Sequence, residues 1–132
     1  MKKDNKGFSL VELIIVIAIM AVLVGLLAPQ YLKYVNNSKV STDISNAQEV
    51  ATAINVAFAD DNPSYRSGSP VNKLPDGTDL PALKADTTST MTVTITDNGV
   101  SVIKAGAYQL YPDPKAPTGD ANGEGYYTRY HK

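Results

Sequence analysis

Few side chains in this 132-residue sequence could do chemistry. There is no cysteine, so disulfides and thiolate metal sites are excluded, and the one histidine, His131, cannot form a two-histidine zinc site within one chain. No nucleophile–base pair stands out, so the sequence does not read as an enzyme. Asp120, Asn122 and Glu124 alternate ahead of Gly125 as in the first half of a calcium loop. The position that needs a bidentate carboxylate is His131, so the segment is not an EF-hand and reads as a Gly/Asp surface turn. No metal or cofactor is expected. His131, near the chain end, is expected to be solvated. The carboxylate that calls for explanation is Glu12, which stands inside an apolar run.

That run extends from Phe8 to Ala28 and contains only Ser9 and Glu12 as polar residues. Its 21 residues make about 31 Å of helix, matching a bilayer core of about 30 Å. It lacks the polar face of a soluble core helix, and so reads as a membrane span. Lys2, Lys3 and Lys6 against Asp4 place the N-terminus on the cytoplasmic side. The run is longer than a secretory signal peptide's and ends at Pro29 without a small-x-small cleavage site. A carboxylate costs about 2.5–3.5 kcal/mol at the centre of a membrane helix and less near its end, and such residues usually have a partner. Were the chain cut between Gly7 and Phe8, the new α-amine would lie four residues from Glu12. Glu12 of one copy could then neutralise the amine of its neighbour and set the register between them.

Lys6-Gly7-Phe8-Ser9-Leu10-Val11-Glu12-Leu13, followed by the apolar run and Pro29, resembles the N-terminus of a type IV pilin, over about residues 1–60. The resemblance implies a prepilin peptidase that cuts between Gly7 and Phe8 and N-methylates Phe8. It implies that Glu12 pairs with the Phe8 amine of an adjacent subunit, and that the chain loosens near Gly25 and Pro29 in the filament. The short leader and Phe8 resemble the type IVa subclass. The lack of cysteine departs from Gram-negative pilins, which close a C-terminal loop with a disulfide, and resembles Gram-positive pilins and pseudopilins. Calcium-binding C-terminal loops occur in major pseudopilins, which keeps Asp120, Asn122 and Glu124 of interest.

Beyond the run, Val40, Ile44, Ala47, Ala51, Ile54 and Phe58 are spaced 4, 3, 4, 3, 4 among polar residues, the pattern of an amphipathic helix. A span leading straight into it gives 52 residues from Phe8 to Ala59, about 78 Å if unbroken. Pro29, one turn after Gly25, is expected to kink or break that helix. Asp60-Asp61-Asn62-Pro63 should end it. Pro63, Pro70, Pro75 and Pro81 mark an irregular loop. Met91, Val93 and Ile95 alternate with threonines as a half-buried strand, Asp97-Asn98-Gly99 signals a hairpin, and Val100–Lys104 and Ala107–Tyr111 follow as strands. Pro112, Pro114 and Pro117 end the meander, and Tyr126–Tyr130 is expected as a further short strand. The fold class is α+β. The segments are leader 1–7, membrane or filament-core helix 8–28, amphipathic helix 29–59 and globular head 60–132. Tyr31 and Tyr34 read as interface anchors. Asn36-Asn37-Ser38 fits the N-glycosylation pattern.

The net charge is −1. Without residues 1–7, which hold three lysines and one aspartate, nine positive and twelve negative charges remain, a net of −3. Nothing in that balance indicates nucleic acid as a partner. The expected function is a structural subunit that polymerises through its N-terminal helix into an extracellular pilus. Its expected partners are copies of itself, a prepilin peptidase, an assembly platform with its ATPase, and the membrane beforehand, the inner or single cytoplasmic membrane. The alternatives are a pseudopilin of a type II secretion or competence DNA-uptake system, and an uncut signal-anchored domain that does not assemble.

Overall fold

The computed structural model describes residues 7–115 and 125–131, and its elements follow the α+β order. Helix α1 covers Leu10–Ala59, strands β1 (Met91–Thr96), β2 (Gly99–Ala105) and β3 (Tyr108–Tyr111) form one antiparallel sheet in that order, and helix α2 covers Tyr126–Tyr130. Two compact units are distinguished, residues 1–35 and 36–132.

The helix runs through Gly25 and Pro29 without interruption, contrary to the expected break. Proline withdraws a single N–H and its ring crowds the turn before it; Gly25, four residues earlier, carries no side chain to add to that crowding. The stop falls where the Asp/Asn run placed it. Asp61 adopts φ +58°, its N–H donates to the Phe58 carbonyl at 3.0 Å, and the Asn62 N–H donates to the Ala57 carbonyl at 3.0 Å. This is a Schellman closure with an aspartate in the left-handed position, a conformation that Asp and Asn tolerate better than branched residues. The Asn62 side chain then caps the 3-10 turn Pro63–Tyr65 by accepting from the Ser64 N–H at 3.0 Å.

In the second unit the apolar stripe of α1 packs against the inner face of the sheet. Val40, Ala47, Val50, Ala51, Ile54 and Ala57 join Met91, Ile95, Ile103, Ala105, Leu110, Leu83 and Tyr126 in one core. β1 alternates as its threonines require, with Met91 and Ile95 buried and Thr92 and Thr94 exposed. The β1–β2 hairpin closes at Thr96 and Gly99, but neither Asp97 nor Asn98 has positive φ. Gly99 takes it instead, at +101°. A Cβ on Gly99 would meet the Asn55 side-chain oxygen at 2.5 Å, and that same oxygen accepts the Val100 N–H at 2.8 Å. Asn55 thus joins α1 to the hairpin. Gly106, at φ +59°, opens the two-residue β2–β3 turn, where a first central glycine suits a type II′ geometry.

The expected strand at Tyr126–Tyr130 is a short helix. Aromatic residues favour strands by type. Here, however, the Tyr127 N–H donates to the Pro114 carbonyl at 2.9 Å, and Tyr126 is buried in the core. Tertiary packing outweighs the local preference. Asp120, Asn122 and Glu124, the leader residues 1–6 and Pro117 lie outside the described residues.

Candidate assembly site on the N-terminal helix

Gly7 is an exposed bend residue, Phe8 is 80% exposed, and α1 begins two residues later. Ser9 sits at the helix N-cap. The Glu12 N–H donates to Ser9 Oγ at 3.2 Å, and the Ser9 N–H donates to Glu12 Oε2 at 3.3 Å. This is a reciprocal capping box, in which two N–H groups that lack helical partners are satisfied by two side chains. The positive end of the helix dipole also favours a carboxylate there. Glu12 therefore has a local structural role that its charge alone did not suggest. The signal was present as Ser-x-x-Glu ahead of an apolar run. A carboxylate has about four acceptor sites, so one bond to the Ser9 amide leaves room for a further cation.

Beyond the cap, fifteen large apolar side chains from Phe8 to Leu27 are exposed, by 45% to 80%. Covering each is worth on the order of 1 kcal/mol or more. The sum far exceeds the few kcal/mol that Glu12 costs near a helix end. α1 is long and apolar enough to cross a membrane. Pro29 lies inside α1 just past this stretch, and Tyr31 and Tyr34 are exposed beyond it. The site residues Gly7, Phe8, Glu12 and Pro29 thus lie along one helix and its lead-in rather than converging in a pocket. Among the described residues no group of acids or histidines could hold a metal ion.

The head has its own polar cluster. Asp43, on α1, is fully buried and accepts the Lys84 N–H at 2.8 Å, the Ala85 N–H at 2.9 Å and the Tyr126 hydroxyl at 2.5 Å. Asp86, also buried, accepts the Tyr130 hydroxyl at 2.8 Å, the Thr88 hydroxyl at 2.8 Å and the Ser89 N–H at 3.3 Å. The two carboxylates clasp α2 to α1 and to the loop of residues 83–89. Burial pushes Asp86 up, but the hydrogen bonds from Ser89, Tyr130 and Thr88 outweigh it and hold it at about 2. Burial and then the Asp86 bond raise Tyr130 to about 12, and burial with the Asp43 bond raises Tyr126 well above its ordinary value. The apolar spacing Val40, Ile44, Ala47, Ala51, Ile54, Phe58 passes over Asp43, because an aspartate adds nothing to an apolar stripe. The parallel register Val40, Asp43, Ala47, Val50, Ile54, Ala57 contains it.

The Asn36 amide donates to the Tyr130 carbonyl at 2.6 Å, so the nitrogen a glycan would use is engaged in the fold. His131, expected to be solvated, is partly buried and stacks on Tyr127 at 4.3 Å between centroids.

Residues 2–28 match the prokaryotic N-terminal methylation motif. Over 138 aligned residues the chain is 32% identical to a type IV major fimbrial protein, FimA, of Dichelobacter nodosus, covering 88% of this chain and 86% of that protein. It is 29% identical to a fimbrial protein of Pseudomonas aeruginosa over 96 residues, 73% of this chain and 62% of that one. No solved structure matches. A methylation-type N-terminus, an exposed apolar helix and an α+β head define a fimbrial-type subunit. The chain belongs to the type IV pilins.

Proposed function

We propose that this pilin is cut between Gly7 and Phe8, N-methylated at Phe8, and polymerised through α1 into an extracellular type IV pilus. Before assembly the apolar stretch lies in the cytoplasmic membrane with its N-terminus inside, as the lysines ahead of it favour. A prepilin peptidase performs the processing, and an assembly platform with its ATPase extracts and adds subunits. The observation that carries the reading is the apolar stretch itself, bare on all sides and holding a single acid in its first turn. Lipid covers such a surface first, and copies of the same helix cover it in the filament. Glu12 neutralises the Phe8 amine of the neighbouring subunit, because an amine drawn into that apolar core uncompensated would be unfavourable. The role is structural rather than catalytic, and surface adhesion is a use to which such a filament can be put.

Mass spectrometry of material sheared from cells tests this. Abundant chain beginning at methylated Phe8 is the expected result. Trimmed chain confined to the cell body would point to a pseudopilin of a secretion or DNA-uptake machine. Chain that still carries Lys2–Gly7 would overturn the assembly reading.

A further inference from the structure

The sheet of the head ends in two outer strands, β1 and β3, and they are closed off differently. At β3, Gly125 bridges to Gln109. At β1, the loop after α1 makes one backbone bond, from the Gly68 N–H to the Ile95 carbonyl at 3.0 Å. That bond fixes which backbone groups face outward. Successive strand residues turn their N–H and C=O groups to opposite edges, so Met91 and Val93 face outward with Ile95, and Thr92, Thr94 and Thr96 face β2. Among the described residues no hydrogen bond from another segment reaches Met91 or Val93. Natural edges are blunted by lysine, proline or a covering segment, and Met91-Thr92-Val93 contains neither residue. Next to this open length lies a cavity of about 620 Å³, within the size range of ligand sites. Val71, Leu80, Leu83 and Met91 form its apolar lining, and Ala82, which is exposed, stands in its wall. Met91 belongs to both the edge and the cavity.

We propose that this edge and cavity receive an extended peptide segment of a partner protein, aliphatic at every second residue, which joins the sheet as a strand beside β1. The outward backbone groups set its form. N–H and C=O groups recurring at every second residue match the backbone of a strand, whereas a helix spends those groups on itself. The cavity sets its side chains. Alternate residues of an added strand point to one side, so those level with Met91 and Val93 turn toward Val71, Leu80 and Leu83, and the ones between them turn to water with Thr92. The contact lies wholly in the unit of residues 36–132, so it goes beyond the filament reading and does not depend on it.

Peptide binding to the full-length chain in detergent tests this. The probe is a labelled peptide, Lys-Thr-Val-Thr-Val-Thr-Lys with blocked ends, and its control has serine in place of both valines. The probe should bind with a dissociation constant below about 1 mM, and the control about tenfold more weakly. At saturation the probe should slow hydrogen exchange at Met91 and Val93 by about tenfold. Val93→Pro removes one outward N–H and leaves the pairing with β2 intact, so it should weaken binding about tenfold while the head stays folded. Ala82→Trp fills the cavity from an exposed position and should weaken binding by a similar factor, and it decides the matter if Val93→Pro destabilises the head. Absence of binding, equal binding of the two peptides, or binding unchanged by Ala82→Trp would overturn the proposal. Protection at Tyr108–Tyr111 in place of Met91 and Val93 would overturn it as well. So would slowed exchange at Met91 and Val93 in the chain alone at rising concentration, which would assign the edge to a second copy. None of these readouts uses assembled filaments, so failure here leaves the filament reading standing.

Discussion

Residues 7–35 and the described residues from 36 onward are two parts of one chain built on opposite terms. In the first, the large apolar side chains lie bare and the polar bonds close the helix's own first turn. In the second, the apolar residues close around one another, and among the described residues no buried side-chain polar atom lacks a partner. The difference teaches where each half obtains its stability. The head supplies its own environment, down to the two carboxylates that receive tyrosine hydroxyls. The N-terminal helix leaves its apolar side chains for another surface to cover, which the proposed function assigns to lipid first and then to other subunits.

Substitutions can break this comparison or sharpen it. Asp43→Ala should have the largest effect, because it strands two backbone N–H groups and a tyrosine hydroxyl in the core, at about 1–3 kcal/mol each. The head should lose more than about 3 kcal/mol in denaturant melts of the detergent-held full chain. A loss under 1 kcal/mol would mean the clasp does not hold the head. Gly99→Ala should cost about 1–3 kcal/mol, since the residue sits at φ +101° with the Asn55 oxygen where Cβ must go. Pairing it with Asn55→Ala should recover only the steric share.

Tyr130→Phe should be milder, about 1 kcal/mol near neutral pH, and it should change the acid response. Asp86 lies at about 2 in the folded chain, below the unfolded carboxylate value of about 3.9. Its contribution is therefore complete above about pH 4 and fades as pH falls toward 2. Removing the Tyr130 hydroxyl should shrink the stability lost over that interval, measured as unfolding midpoint against pH. An equal loss in both chains would remove Asp86 from the account. Ser9→Ala should be smallest, about 1 kcal/mol or less of helix fraying at the N-cap, read from hydrogen exchange at residues 10–13, with the head unaffected.

Much of the head could be read from residue types because its signals are local. Threonine alternation marks β1, Asp-Asn-Gly marks the hairpin, and Asp60 to Pro63 marks the helix stop. What escaped depended on distant contacts. Asp43 looked like one polar residue among many on an amphipathic helix until residues 84, 85 and 126 came to it. Tyr126–Tyr130 has strand-like composition, and only Pro114 and the core make it helical. Pro29 marks a local loss of one backbone donor, which α1 absorbs without ending, since a single missing hydrogen bond does not stop a helix held by the turns on either side. At the N-terminus, Glu12 stands out in the sequence as a charge in an apolar run, while its pairing with Ser9 is a three-residue spacing that the charge itself does not signal.

That double role of Glu12 defines the decisive measurement. Glutamine at position 12 can still complete the capping box with Ser9 but carries no charge. The yield of sheared filaments should be compared between Glu12→Gln and Ser9→Ala, with membrane levels of the processed chain as the reference. Pairing of Glu12 with the Phe8 amine of a neighbour predicts that Glu12→Gln loses filaments while Ser9→Ala keeps most of them. Normal filaments from Glu12→Gln, with loss in Ser9→Ala, would contradict it and leave Glu12 as a helix cap.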